Sequence, residues 1–238
     1  SIYGCGGNTD GQLGINSASS PQTTLVEMIN NTGKTPDTID AGLNNTMVLM
    51  TDGSVDSWGY NVWGQLGDNQ ASGNRSYTLV ETINNTGNTI THISSGLYHS
   101  LVATDYGSAY GVGLNSSDNI FDRGDTKAII LTQVPSVTGK TVSKVYAGSV
   151  ATYVLMTDGS VYSRGSNEQS QLANGQSSSH AGDMTNITDG IGKTAVDVFV
   201  GYQFVSILMS DGTIYGGGIN TNGQLGDGTT TSRHSLVE

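Results

Sequence analysis

The sequence predicts an all-β fold, a β-propeller of four-stranded blades, and three observations carry that reading. The first is period. Gly42, Gly96, Gly148 and Gly201 stand 54, 52 and 53 residues apart, and Gly53, Gly107, Gly159 and Gly212 repeat those separations. Self-similarity at a fixed period marks a repeat architecture, in which each unit buries its apolar face against its neighbours. The second is composition. The chain has 34 Gly, 3 Pro, 56 Ser plus Thr and 12% charged residues, which suits short strands joined by many turns. The third is the absence of any helical period. Apolar residues come instead in short runs bounded by turn residues, as in TMVLM from Thr46 to Met50, the pattern of a strand buried on both faces. A sheet of four strands cannot bury both faces alone, so the copies must stack, and the radial propeller is the leading solution.

Each copy divides into four strands. The first is a β-branched alternation ending at the marker glycine: 38–41, 90–95, 142–147 and 196–200. The second is the apolar run: TMVLM at 46–50, SLVA at 100–103, TYVLM at 152–156 and VSILM at 205–209. Asp-Gly follows at 52–53, 158–159 and 211–212 and predicts a type I′ hairpin, whose two central residues both need positive φ. In the second full copy the pair is Tyr106-Gly107, with Asp105 displaced by one. The third strand comes straight out of that turn, at 2–5, 55–58, 109–112, 161–164 and 214–217. A loop then opens on Asn8, Asn61, Asn115, Asn167 or Asn220 and carries Gly-Gln-Leu-Gly in three of five copies. The fourth strand is short and edge-like, at 24–27, 78–81, 131–134 and 235–238, and weakly marked around Met184. One domain of about four and a half blades is expected: a half-blade over 1–28, then repeats over about 29–81, 82–134, 135–187 and 188–238. Both ends are expected to fall inside blades, leaving an arc that a longer polypeptide or a self-assembly completes.

The net charge of −11, with nine Lys plus Arg, disfavours a nucleic-acid or anionic-membrane surface. No run of 18 apolar residues exists, so no membrane insertion is expected. Cys5 is the single cysteine, which rules out an internal disulfide; its strand position points to a packed thiol.

The repeated pattern G-x-x-x-S/T-x-x-L-x-T-D-G-S-V-Y-S-W-G-x-N-x-x-G-Q-L-G resembles the regulator of chromosome condensation repeat over essentially the whole chain. The resemblance implies a propeller, usually of seven blades. The family's histidine three residues after the marker glycine is present only as His99; Asn45, Ala151 and Phe204 replace it elsewhere. Gly-Gln-Leu-Gly is degraded to Asn-Ile-Phe-Asp at 119–122 and to Gln-Leu-Ala at 171–173.

Candidate chemistry is sparse. Gly-Lys-Thr at 33–35, 139–141 and 192–194 lacks the glycine five positions earlier that a phosphate loop needs. It reads as a repeat turn with a solvated lysine. The four histidines lie apart with no metal spacing, and His99 is expected to satisfy backbone groups inside its own blade. No calcium loop of the DxDxDG kind is present. Trp58 reads as core, Trp63 as an exposed contact. No catalytic, cofactor-binding or metal site is expected, and no cofactor. The six sequons, at Asn30, Asn44, Asn74, Asn84, Asn115 and Asn186, are about what chance gives in so Asn- and Thr-rich a chain. The composition leans toward an extracellular or cell-surface protein.

The expected function is a non-enzymatic scaffold that binds a protein partner through loops at one propeller face. Tyr60, Trp63, Arg75, Tyr77, Phe121 and Arg123 are its candidate partner-binding residues. An alternative is a structural subunit of an extracellular or surface assembly, completed in trans. A third reading, implied by the resemblance, is guanine-nucleotide exchange on a small GTPase; the even repeat length leaves no room for the projecting insertion that this would use.

Overall fold

The computed structural model describes residues 1–30, 32–70, 75–121, 124–176 and 180–238. Among these residues there are eighteen strands and no helix. The chain opens with β1 (Tyr3–Gly6) and β2 (Gln22–Glu27), which pair with each other. Four sheets follow, each antiparallel in sequence order. The first holds β3 (Pro36–Ala41), β4 (Asn45–Met50), β5 (Val55–Tyr60) and β6 (Arg75–Glu81). The second holds β7 (Ile90–Ser95), β8 (His99–Thr104), β9 (Ala109–Leu114) and β10 (Lys127–Gln133). The third holds β11 (Val142–Ala147), β12 (Ala151–Met156), β13 (Val161–Ser166) and β14 (His180–Asn186), and the fourth β15 (Ala195–Val200), β16 (Phe204–Met209), β17 (Ile214–Gly218) and β18 (Arg233–Val237). Successive sheets pack face to face into an incomplete β-propeller.

The up-and-down order gives every blade the same two ends. The marker glycines and the long loops after the third strands lie at one end, called the top; the hairpin tips and the connections between blades lie at the other, the bottom.

The Asp-Gly tips are not type I′ turns. Gly53 N–H donates to Met50 C=O (2.9 Å) and Met50 N–H to Ser54 C=O (2.8 Å), and of the central residues only Gly53 has positive φ (80°). The loop is therefore a type I turn closed by a glycine bulge. Asp52 is needed for its side chain, which accepts from both the Ser54 N–H (3.0 Å) and its hydroxyl (2.6 Å). Since that position carries ordinary φ, Tyr106 occupies it in the second blade at no backbone cost, with its ring 80% exposed.

The core lies between blades. β4, β8 and β12 are buried along their whole length because a neighbouring sheet covers each face. Met47, Leu49 and Val55 of the first blade pack with Ile90, Ile93 and Val102 of the second, and each such side chain contributes about 1.5–3 kcal/mol. β16 alternates buried and half-buried residues. Ile214 is 58% exposed where its equivalents Val55, Ala109 and Val161 are buried; Ile39 is 47% exposed where Ile93, Val145 and Val198 are buried. Cys5, expected to be packed, is exposed, because β1 pairs only with β2 and that face of the pair has no sheet over it.

Hydrogen bonds tie each blade to the next at equivalent positions. Trp58 is in the core as expected, and its indole N–H donates back to Gln12 C=O (2.8 Å). Arg164 stands at the same place two blades on, fully buried, and donates its Nε–H back to Asp118 C=O (2.6 Å). Both side chains supply a planar N–H donor; the second and fourth blades have Val112 and Gly217 at this position and make no such bond. His99 does not bind backbone in its own blade: its Nε2 lies 3.2 Å from the Thr152 hydroxyl of the following one. Asn45 makes the corresponding contact to Ser100 (3.2 Å). At the inner edge, Asp40 accepts from Ser95 N–H (2.6 Å) and Ser94 from Ala147 N–H (3.1 Å).

Candidate interaction surfaces

The top-end loops are organised by one buried asparagine each. Asn61 Oδ1 accepts from Leu66 N–H (3.0 Å) while its Nδ2 donates to Asp68 (2.9 Å). Asn8, Asn167 and Asn220 repeat the bond to the amide five residues on, at 2.9, 3.1 and 2.9 Å. Asn115 does the same for Ile120 (2.8 Å). An asparagine offers an acceptor and two donors in one plane, so one side chain replaces the backbone partners that a loop lacks. The next polar residue adds a second brace: Gln65 Oε1 accepts from Trp63 N–H (3.1 Å) and Gln224 from Asn222 N–H (2.9 Å).

The degraded loops keep this form. Ile120 and Leu172 are buried like Leu66. Asp118 and Ser170 hold positive φ (52° and 63°) at the place that Gly64 and Gly223 fill in other copies. Asn61→Ala removes both bonds and leaves a buried amide unpaired, which is expected to cost about 2 kcal/mol. Urea denaturation checks it, with the midpoint falling at unchanged slope.

Three of the loops are seated on the fourth strand of the next blade. Asn16 N–H donates to Tyr77 C=O (2.8 Å), Asn69 N–H to Ile129 C=O (3.1 Å) and Gly175 N–H to His234 C=O (2.8 Å). The sequence-predicted residues fall around the first such seat. Tyr60 and Arg75 are cross-strand partners on β5 and β6. Arg75 is ion-paired to Asp10, which holds its guanidinium pKa up. Tyr77 lies against Gly11, where an added Cβ would come within 2.8 Å of its ring. Trp63 is half-buried in its loop. Arg75 and Tyr77 thus already contact the preceding loop, while Tyr60 and Trp63 remain half-open. Phe121, expected at the surface, is buried with Leu101, Ile120 and Ala128, because the chain turns into the core there and its N–H is held by Asn115 (3.1 Å). Arg123 lies outside the described residues.

A second top-end feature was missed in the sequence. The marker glycines and the residues beside them line a shallow funnel of about 220 Å³ at the inner edge of the four blades. Its walls include Leu43, Leu97, Ser149 and Tyr202, the residues directly after each glycine. Leu43 and Tyr202 are 57% and 66% exposed. The signal was an apolar residue after the glycine in three of four copies.

At the bottom end the Gly-Lys-Thr lysines are not simply solvated. Lys140 is bonded to Asp158, Lys193 to Asp211 (3.1 Å) and Lys34 to Glu81 (3.9 Å). These exposed pairs are worth little in stability. In the second blade the corresponding positions are Asn88, Tyr106 and Gln133, so lysine and both carboxylates are lost together. Of the sequons, Asn115 is buried with its amide donating to Phe121 and Asp125 carbonyls (both 3.0 Å), and Asn74 lies outside the described residues. Among the described residues no three of His, Cys, Asp or Glu converge on a metal geometry.

The comparisons with known proteins agree with this geometry. The regulator of chromosome condensation (RCC1) repeat family model matches residues 52–103. The secretion-regulating guanine nucleotide exchange factor of Bos taurus is 33% identical over 185 residues, covering 73% of this chain and 38% of that protein. The human E3 ubiquitin-protein ligase HERC2 is 26% identical over 234 residues, covering 97% of this chain and 5% of that protein. The chain thus spans well under half the length of either relative. Among solved structures, human WBSCR16 superposes with a TM-score of 0.86 at 17% identity, covering 99% of this chain and 61% of that one. Yeast RCC1 (Prp20), solved with Kap60, superposes with a TM-score of 0.76 at 15% identity, covering 92% and 52%. The shared period, the asparagine-braced loops and these likenesses show a β-propeller built from regulator of chromosome condensation (RCC1) repeats.

Proposed function

We propose that the chain is a non-enzymatic scaffold that holds a protein partner on its top-end loops. The observation that carries this reading is the bracing of every loop by a buried asparagine, which fixes surface residues such as Tyr60 and Trp63 without committing them to the core. Rigid aromatic side chains on a fixed frame bind at low entropic cost. The side chains that could do chemistry are placed against it. His99 is buried and bonded to Thr152, and its pKa is lowered to about 4 by burial. Cys5 is exposed and, among the described residues, belongs to no cluster of three His, Cys, Asp or Glu side chains that could hold a metal. We read 1–28 as a half-blade and the four sheets as repeats over about 29–81, 82–134, 135–187 and 188–238, with Ile39 and Ile214 facing further repeats of the ring.

Cross-linking mass spectrometry of the native polypeptide tests the scaffold reading. Cross-links to the bound protein should cluster in the top-end loops, and Trp63→Ala should lower partner recovery at least fivefold. Cross-links confined to the bottom-end hairpin tips would refute it. The relative named as a guanine nucleotide exchange factor favours a second reading, in which the partner is a small GTPase. Accelerated nucleotide release by this chain, set against a buffer control, would establish that reading in place of a passive scaffold.

A further inference from the structure

We propose that the funnel at the inner edge of the top end is a docking site for a protein segment that presents one bulky apolar side chain flanked by lysine or arginine. This rests on the scaffold reading and names the partner's chemistry at the same end of the molecule.

The funnel is apolar by position. None of its lining residues carries a charge, in a chain of net charge −11. Leu43 and Tyr202 stand more than half exposed in it, although burying such side chains is favourable. Its shape follows from the marker glycines. Leu43 N–H donates to Gly96 C=O (3.4 Å) and Leu97 N–H to Gly148 C=O (3.2 Å), so the inner turns climb from blade to blade like a stair. A Cβ built on Gly42 would lie 2.2 Å from Gly96 O, and one on Gly96 would lie 2.3 Å from Gly148 O. The floor is therefore bare backbone, a flat surface suited to a ring or a broad aliphatic side chain.

The charge around the funnel sets the flanks of the occupant. Arg75 and Arg233 are tied to Asp10 and Asp227. The same loops also carry Asp68, Asp118, Asp125 and Glu168, and Lys127 is the further cation among the described residues there. An uncharged funnel at an end whose described loops carry more carboxylates than cations, in a chain of net charge −11, complements an apolar anchor with basic neighbours, and like charge repels acidic ones.

Fluorescence polarisation on the full chain tests this with three labelled peptides. One is Lys-Lys-Gly-Trp-Gly-Lys-Lys, the second has Glu in place of every Lys, and the third has Ser in place of Trp. The first should bind at least tenfold more tightly than either of the others, and more weakly as salt rises. The double variant Leu43→Ser/Tyr202→Ser should lose at least tenfold in affinity for it, while Tyr106→Ser at the bottom end should bind unchanged. Equal binding of the three peptides overturns the inference, as does binding that survives the double variant. If affinity falls with Trp63→Ala but not with the double variant, the funnel inference fails and the scaffold reading stands. Bottom-end cross-links to the native partner would sink the scaffold reading whatever the peptides do.

Discussion

Gly96→Ala is expected to cost about 3 kcal/mol or more, because overpacking against backbone has no cheap relaxation. The new Cβ would sit 2.3 Å from the Gly148 carbonyl oxygen and 3.1 Å from the Ala147 Cβ, both on the next blade. Relief requires the second and third blades to move apart, and that opens the apolar cluster of Leu101, Ala103 and Val145 between them. Gly96 is not demanded by φ, so the cost is one of space. Gly7→Ala is the control: the nearest atom to its added Cβ is the flexible end of Gln12 at 3.7 Å, and it should change stability by no more than about 0.5 kcal/mol. Thermal or urea unfolding of the two variants, side by side, checks the pair. A Gly96→Ala protein as stable as wild type would mean that the blades are not in contact at their inner edges.

The second large effect is a pH dependence set by His99. Burial lowers its pKa from the ordinary 6.5 to about 4, so the folded chain resists a proton that the unfolded chain accepts. The stability contributed by the neutral ring is fully present above pH 6.5 and is lost as pH falls toward 4. Integrated over that window the loss is about 3 kcal/mol. His99→Asn puts at this position the residue that the first blade has at Asn45 and removes the titrating group. Its unfolding free energy should therefore be flatter between pH 6.5 and 4 than that of the wild type. His92 is also lowered, by burial and by Lys144, and stays in both proteins, so the difference isolates His99. Parallel pH profiles would contradict the buried placement.

Much of the fold was legible because the period reports equivalence directly. Once Gly42, Gly96, Gly148 and Gly201 are aligned, a strand marked well in one copy locates its counterparts in the others, even where Tyr106 displaces Asp. The period does not report what lies across a junction. The contact of His99 with Thr152, 53 residues away, and the substitution of Arg164 for a tryptophan follow from the stacking of blades, which no single copy encodes. The hairpin type was misread for a related reason. Asp-Gly fits two turn geometries, and the choice depends on whether Asp is wanted for its backbone or for its carboxylate, which here caps Ser54. For the binding surface, the loops were found and individual residues were not. Phe121 follows a loop position that turns inward, and residue type alone does not reveal that. Leu43 and Tyr202 share a surface only because four inner turns gather around one axis, which no single copy reveals.

Residue-resolved amide hydrogen exchange decides whether these repeats stand as one stack. If each blade is held by its neighbours, the amides of Met47 to Leu49, Leu101 to Ala103 and Tyr153 to Leu155 should exchange together, only through global unfolding. Those of β16, half-covered on one face, should exchange faster. Exchange of the four second strands at unrelated rates, with β16 as slow as β8, would contradict the stacked arc and with it the fixed top-end surface on which a partner is held.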